Sequence, residues 1–258
     1  TSESLQYLKA SASAQFSEVS LPSILPKHKG PVWMVDLRRE SHAFIQGQPV
    51  SWYGAGNLSN HRLPGDEIAH LEFGLVDCLN MRSTIDVHRL KKHGFGRISS
   101  AESKELATHQ IETEEELLKR YGIQYLRLPV LDKHRPEDHI VDKFVDVVKA
   151  LPDDVWLHFH CRAGRGRSTT FMAMYDILKN AKQLPVHDIL KRQAKMGGVK
   201  LTKYPTEKEK LWKRKAAIAR HLFLKKFYHY VTDPAGFPKE NWASWVSKKR
   251  KEKQGSNI

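Results

Sequence analysis

One cysteine and one arginine stand at C-x5-R-[ST] spacing in His160-Cys161-Arg162-Ala163-Gly164-Arg165-Gly166-Arg167-Ser168-Thr169, a run punctuated by glycines. A thiol beside a helix N-terminus and an arginine loses its proton more easily, because both stabilise negative charge there. A thiolate can attack phosphorus. Arg167 offers a planar fork that grips two equatorial oxygens of a phosphoryl group while its charge redistributes. Ser168 or Thr169 can donate a hydrogen bond to the sulfur, making it a better leaving group when water cleaves a phosphocysteine. Gly164 and Gly166 let the backbone turn its N–H groups inward, and the helix beyond adds its positive end, so phosphate finds donors without a metal. An inert buried thiol is the commoner state of a lone cysteine, but it leaves the glycines and arginine at these offsets unexplained.

Such a loop needs a strand before it and a helix after it. Val155-Trp156-Leu157-His158-Phe159 reads as a short buried strand, and Thr170 to Leu178 has the apolar density of a helix packed on a sheet. Val32 to Leu37 reads as another buried strand, with Asp36, Arg38, Glu40 and His42 at its C-terminal end, where polar side chains of an open α/β sheet converge on ligands. Arg38 and His42 are candidates to face the site; Asp36 and Glu40 read better as an ion-pair cluster that buttresses the phosphate loop. A helix from Thr113, acidic in its first turn, precedes an alternating strand over Ile123 to Val130. Leu131 to Arg135 is then a polar loop, and Pro136 opens a helix carrying Ile140, Phe144, Val147 and Leu151 on one face. Pro185 to Met196 is a further helix ending at Gly197-Gly198. The next runs from about Thr206 to Val231 on a stripe of Trp212, Ala216, Ala219, Phe223 and Phe227.

Residues 1–30, rich in Ser and Ala, read as an irregular arm packed on a domain formed by 31–246, and 247–258 as a basic tail that frays. Trp242 and Trp245 are expected to dock on the core, and Gly47 to Pro64 is a loop region with Trp52 and Tyr53 as packing residues. A chain of 258 residues can bury a sizeable core, and no stretch approaches the roughly 20 apolar residues that cross a membrane. The net charge of +14 points to a polyanionic ligand as well as a basic tail. Two cysteines make no disulfide framework; Cys161 must stay reduced, and Cys78 reads as a small buried residue. His61, His70, His88 and His93 lack metal-ligand spacing, so no metal or cofactor is expected. The start at Thr1, without an apolar leader, suits a mature or trimmed form. Basic strands interleaved with aromatics are missing, which argues against a nucleic-acid partner.

The loop resembles that of the protein-tyrosine-phosphatase superfamily, and its flanking blocks narrow the resemblance to the protein-tyrosine-phosphatase-like phytases, the cysteine phytases of bacteria. Ala12 to Glu18, Val35 to His42, Pro49 to Tyr53, Trp156 to Cys161, and Phe227-Tyr228 with Tyr230-Val231 all look like that family. The resemblance implies an α/β fold whose phosphatase-like central sheet is flanked by helices. It also implies a small partial β-barrel addition, part of which this chain would lack at its N-terminus. It implies a cofactor-free phosphatase acting on inositol hexakisphosphate or a related inositol polyphosphate through a phosphocysteine. Cys161, Arg167, Ser168 and His160 match the catalytic positions, and Arg162, Ala163, Gly164, Arg165 and Gly166 the substrate-binding loop.

Asp132, in an Asp-x3-Pro arrangement, matches the family's catalytic aspartate, which protonates the leaving alkoxide and later takes a proton from water. The family has histidine directly after it, whereas this chain has Lys133 and then His134, and either is a candidate substrate contact. Lys213 and Arg220 match positions that contact peripheral phosphates, Arg220 in place of a lysine, and Ala217 stands where the family has tyrosine. With Arg38, Lys200 and Lys203 these would ring a pocket for several phosphates, and Arg162 and Arg165 exceed what a phosphotyrosine enzyme needs. A phosphoinositide or protein tyrosine phosphatase, and a non-catalytic inositol-phosphate-binding module, are the competing readings. The family's bacterial members also imply a secreted protein, whether periplasmic, extracellular or delivered into a host cell. The sequence leaves the oligomeric state open.

Overall fold

The structure is a computed structural model and describes residues 8–94, 96–206, 211 and 213–255. Four parallel strands form the central sheet in the order β1 (Ala10–Ala14), β9 (Trp156–Cys161), β2 (Val32–Arg38) and β8 (Gln124–Val130). Helices α3 (Glu114–Arg120), α4 (Asp138–Ala150), α5 (Gly166–Asn180), α6 (Val186–Lys195), α7 (Arg214–Thr232) and α8 (Trp242–Gly255) flank it. Helix α1 (Leu21–Ile24) is a single turn, and α2 (Gly65–Asn80) precedes a long hairpin of β5 (Thr84–His93) and β6 (Arg97–Ala107). A second, antiparallel sheet joins β4 (Gln48–Ser51), β3 (His42–Ile45) and β7 (Ile111–Glu112).

Alternation along the inner strands divides the core in two, because successive side chains of a strand point to opposite faces. Val35 and Leu37 of β2, with Leu157 and Phe159 of β9, join the large cluster built by α4 to α8. Met34 faces the other way, onto Phe16, Phe44, Leu117 and Leu118. Phe144, Phe159 and Phe171 meet at ring-centroid distances of 5.1–6.2 Å and are all buried. Burying each such ring stabilises the fold by roughly 1.5–3 kcal/mol.

Four readings of the sequence need correction. Residues 1–30 are not all irregular: Ala10–Ala14 is an edge strand, in register with β9 from Ala10 opposite Leu157 to Ala14 opposite Cys161. Its Ala and Ser side chains have little strand preference of their own; Ser11 and Ser13 hold it through hydroxyl contacts to both ring nitrogens of His158, at 2.8 and 2.9 Å. Cys78 is exposed. In α7 it is Ala217 that is buried while Ala219 faces solvent; Trp212 lies outside the described residues. The basic run 248–251 continues α8 as helix rather than fraying, with Lys248 paired to Glu240 and Lys249 to Asp233. Trp242 and Trp245 dock as expected, their indole N–H groups donating to Asp138 and Asp233. No helix among the described residues is long and apolar enough to cross a membrane.

Candidate active site

The parallel sheet sends all its C-terminal ends to one edge, which is where ligands of open α/β sheets bind. Cys161 ends β9, and the loop carrying Asp132 follows β8. Gly164 turns the phosphate loop at φ +61°. A Cβ there would come within 2.4 Å of the Ala14 nitrogen and 2.6 Å of the Ser13 carbonyl carbon, so the close approach of β1 and the left-handed turn both require glycine. Arg165 caps α5 without a side-chain acceptor, leaving the N–H groups of the first turn without a side-chain cap.

Burial pushes the Cys161 thiol up, but the Arg167 charge, the Ser168 hydroxyl and the backbone N–H groups of Ser168 and Ala163 bring it below its ordinary value. The thiolate is therefore stabilised relative to that of an ordinary cysteine. Arg167 is also buried, and Glu40 holds its fork from behind: Nη1 lies 2.7 Å from Oε2 and Nη2 2.9 Å from Oε1. A register shift in β2 between Asp36 and Arg38 accompanies a further bond, from Arg167 Nη1 to the Leu37 carbonyl at 3.3 Å. Nη1 also donates to the Val130 carbonyl at 3.1 Å, while Nε is buried with no hydrogen-bond partner among the described residues. Burial opposes the charge on Glu40, yet Arg167 and Arg38 keep its carboxyl far below the usual range.

Asp132 sits 3.5 Å from Arg167 Nη2 through Oδ1 and 2.6 Å from Lys133 Nζ through Oδ2. Burial raises its pKa, and the charges of Arg167 and Lys133 more than reverse that rise. Lys133 Nζ also donates to the Gly56 carbonyl at 2.8 Å, whereas His134 is exposed with Nδ1 2.8 Å from the Asp132 carbonyl. Of the two alternatives it is Lys133 that turns its side chain toward the acid.

Under the loop lies a buried charged cluster that the sequence disclosed only in part. His160 Nε2 is 2.7 Å from Glu114 Oε1, and His42 Nε2 is 3.1 Å from Glu114 Oε2. Burial alone would lower the His160 pKa, but Glu114 raises it above its ordinary value, and His160 and His42 hold Glu114 well below its own. Burial drives the neighbouring His158 down to about 3, and its ring stays neutral. Glu114 looked like an ordinary acidic residue of a helix's first turn, and no spacing linked it to His160.

Arg38, at 1% exposure, binds Glu40, Gln15 and Ser51 at 3.1, 2.7 and 2.7 Å and lines a groove together with Arg162. His42 is likewise buried; Glu40 pairs with Arg38, whereas Asp36 pairs with Arg127 and accepts from the Arg38 backbone N–H. Arg162, Ala163 and Arg165 are exposed at the rim, with Gly164 and Gly166 half-buried between them. Arg220 reaches the loop; Lys213 precedes the first residue of α7 and is half-buried, and Lys200 and Lys203 are exposed.

Sequence reasoning missed Lys92. It stands near the tip of the β5–β6 hairpin, its Nζ 3.6 Å from the centre of the Tyr53 ring, and it lines with Arg162 a groove of about 710 Å³. Burial lowers its pKa, and so do the nearby charges of Arg162 and Lys133. Tyr53 fixes the tip by donating to the Gly96 carbonyl at 2.6 Å.

A family profile for PTP-like phytases, described by inositol hexakisphosphate, matches residues 35–179. The PTP-like myo-inositol phosphatase from Mitsuokella multacida, solved in complex with myo-inositol-(1,3,4,5)-tetrakisphosphate, is 37% identical with a TM-score of 0.89, covering 97% of this chain and 42% of that one. A PTP-like phytase from Bdellovibrio bacteriovorus is 36% identical with a TM-score of 0.77, over 93% of this chain and 86% of that one. Effector protein hopD2 of Pseudomonas syringae pv. tomato is 29% identical over 233 residues, 85% of this chain and 47% of the relative. The chain thus spans less than half the length of the Mitsuokella chain and of the effector.

Proposed function

The chain belongs to the protein-tyrosine-phosphatase-like phytase family, and from that premise we propose that it hydrolyses phosphomonoesters of inositol polyphosphates through a phosphocysteine. The Cys161 thiolate attacks phosphorus and the P–O bond to the inositol oxygen breaks. Asp132, protonated in the enzyme–substrate complex, hands its proton to the departing alkoxide, so an alcohol leaves. Water then attacks the phosphocysteine, Asp132 takes a proton from that water, and inorganic phosphate and the thiolate are released. Arg167 and the loop N–H groups hold the equatorial oxygens in both steps.

The observation that carries this reading is the convergence of Cys161, the Glu40-aligned Arg167 and Asp132 at one end of the sheet. Arg162 and Lys92, which line one groove, with the charge of Lys133 near them, support a substrate with more than one phosphate. The relative solved with an inositol tetrakisphosphate supports the same substrate class. We take the protein to be a secreted bacterial enzyme, a reading supported by its likeness to an effector.

The test follows phosphate release from inositol hexakisphosphate, a phosphoinositide and a phosphotyrosyl peptide, with Cys161→Ser as control. Turnover of the first, abolished in the variant while binding persists, is expected. Hydrolysis of only the lipid or the peptide would remove the soluble inositol phosphate as substrate, and residual turnover in Cys161→Ser would remove the covalent step.

A further inference from the structure

Lys133, directly after the acid, and Arg220, on α7, lie 87 residues apart in the chain and meet in the structure. Arg220 Nη1 donates to the Lys133 carbonyl at 2.8 Å. The same guanidinium lies over the phosphate loop: a Cβ on Gly166 would come 2.7 Å from Nη1 and 3.3 Å from Cζ. A glycine at 166 leaves room for the flat guanidinium to lie there. Lys133 adopts φ +70°, a left-handed conformation uncommon for a side-chain-bearing residue. From that backbone its carbonyl accepts from Arg220, while its Nζ spans Asp132 Oδ2 at 2.6 Å and the Gly56 carbonyl at 2.8 Å. The acid loop is therefore fastened on two sides, to α7 through its backbone and to the Gly56 turn through its side chain.

We propose that Arg220 is a positioning residue, a latch that holds the Asp132 loop against the phosphate loop before substrate arrives. Arginine suits this task better than lysine because its rigid fork can lie flat on the loop and still reach a carbonyl. Its role is then distinct from gripping a peripheral phosphate. The inference rests on the reading of Asp132 as the general acid, and it applies to any phosphomonoester.

Substrates with a single phosphate separate the two roles, since they offer Arg220 no peripheral phosphate. Arg220→Met, Arg220→Lys, Asp132→Asn and the double variant of Asp132→Asn with Arg220→Met are assayed on an alkyl monophosphate and on 4-nitrophenyl phosphate, in the full chain. General acid catalysis contributes about 10²–10⁴-fold. A misplaced acid should therefore cost Arg220→Met on the order of 10–100-fold in kcat on the alkyl ester, and several times less on the aryl ester, whose leaving group needs little protonation. In the Asp132→Asn background the same change should cost under about twofold, because the two residues act through one proton transfer.

Equal losses on the two esters, or full additivity with Asp132→Asn, would overturn the latch. So would an Arg220→Met enzyme that keeps its alkyl kcat and only raises KM for an inositol polyphosphate. Should Arg220→Met fail to fold, Arg220→Lys carries the same comparison. An enzyme that ignores inositol phosphates but hydrolyses the simple esters would end the substrate reading and still measure the latch.

Discussion

Glu40 accepts the Arg167 fork with both carboxylate oxygens, at 2.7 and 2.9 Å, while neither side chain is more than 1% exposed. Arg38 closes on the same carboxylate at 3.1 Å. The pair fixes the plane of the guanidinium, and with it the direction in which Arg167 Nε points.

Glu40→Gln should therefore damage both folding and catalysis. It leaves two buried arginines sharing no carboxylate, and breaking a buried pair costs about 3–5 kcal/mol. In the protein that still folds, a fork displaced by an ångström should lower kcat/KM on the order of 10²-fold. Denaturant melts and steady-state kinetics check the two parts separately; an unchanged kcat/KM would mean that Glu40 only supports the fold.

Lys133→Met should move the alkaline limb of the pH profile upward. The charges of Arg167 and Lys133 hold Asp132 below its ordinary value. Removing one of them destabilises the carboxylate, raises its pKa, and keeps the acid protonated to higher pH. The profile of kcat/KM on an alkyl phosphate reports the free enzyme and is the measurement to make. A limb that stays in place or moves down would deny Lys133 this electrostatic role.

Glu114→Gln tests the pair beneath the nucleophile through the pH dependence of stability. His160 is raised in the folded state, so its contribution is complete below about pH 6.5 and fades as pH rises through the folded value. Glu114 is lowered, so its contribution is complete above about pH 4.3 and fades on further acidification. Wild type should exceed the variant most between those limits, with the difference shrinking toward alkaline pH. Urea unfolding across the range decides it, and a constant difference would show that no ion pair is at work.

How much of this was legible beforehand depended on how far each contact lies along the chain. Cys161 to Ser168 declared itself because a phosphate loop compresses nucleophile, glycines and arginine into one short run. The strands at Val32 to Leu37 and Ile123 to Val130 were readable from apolar content and alternation, and the structure has them at Val32–Arg38 and Gln124–Val130. Strand β1 was not, since Ala and Ser carry no such signal and its place comes from pairing with β9. Glu114 and Lys92 were hidden for a similar reason: a helix-start glutamate and a hairpin lysine look like solvated charge until tertiary contact buries one under His160 and aims the other at Arg162. The partners of Arg38 were not readable either, because Gln15 and Ser51 come from segments distant in sequence that only the fold brings to its guanidinium.

Strand β1 also sets an order in time. The contact between Ser11 and His158 joins positions 147 apart, and Gly164 turns against the backbone of Ser13 and Ala14. During synthesis β2 and β8 are complete before β9 exists, so β1 waits without its neighbour until the nucleophile's own strand has emerged. Contacts of such long separation form late in folding. The loop around Cys161 thus takes its shape only when Ala10–Ala14 and Trp156–Cys161, far apart in the chain, find each other.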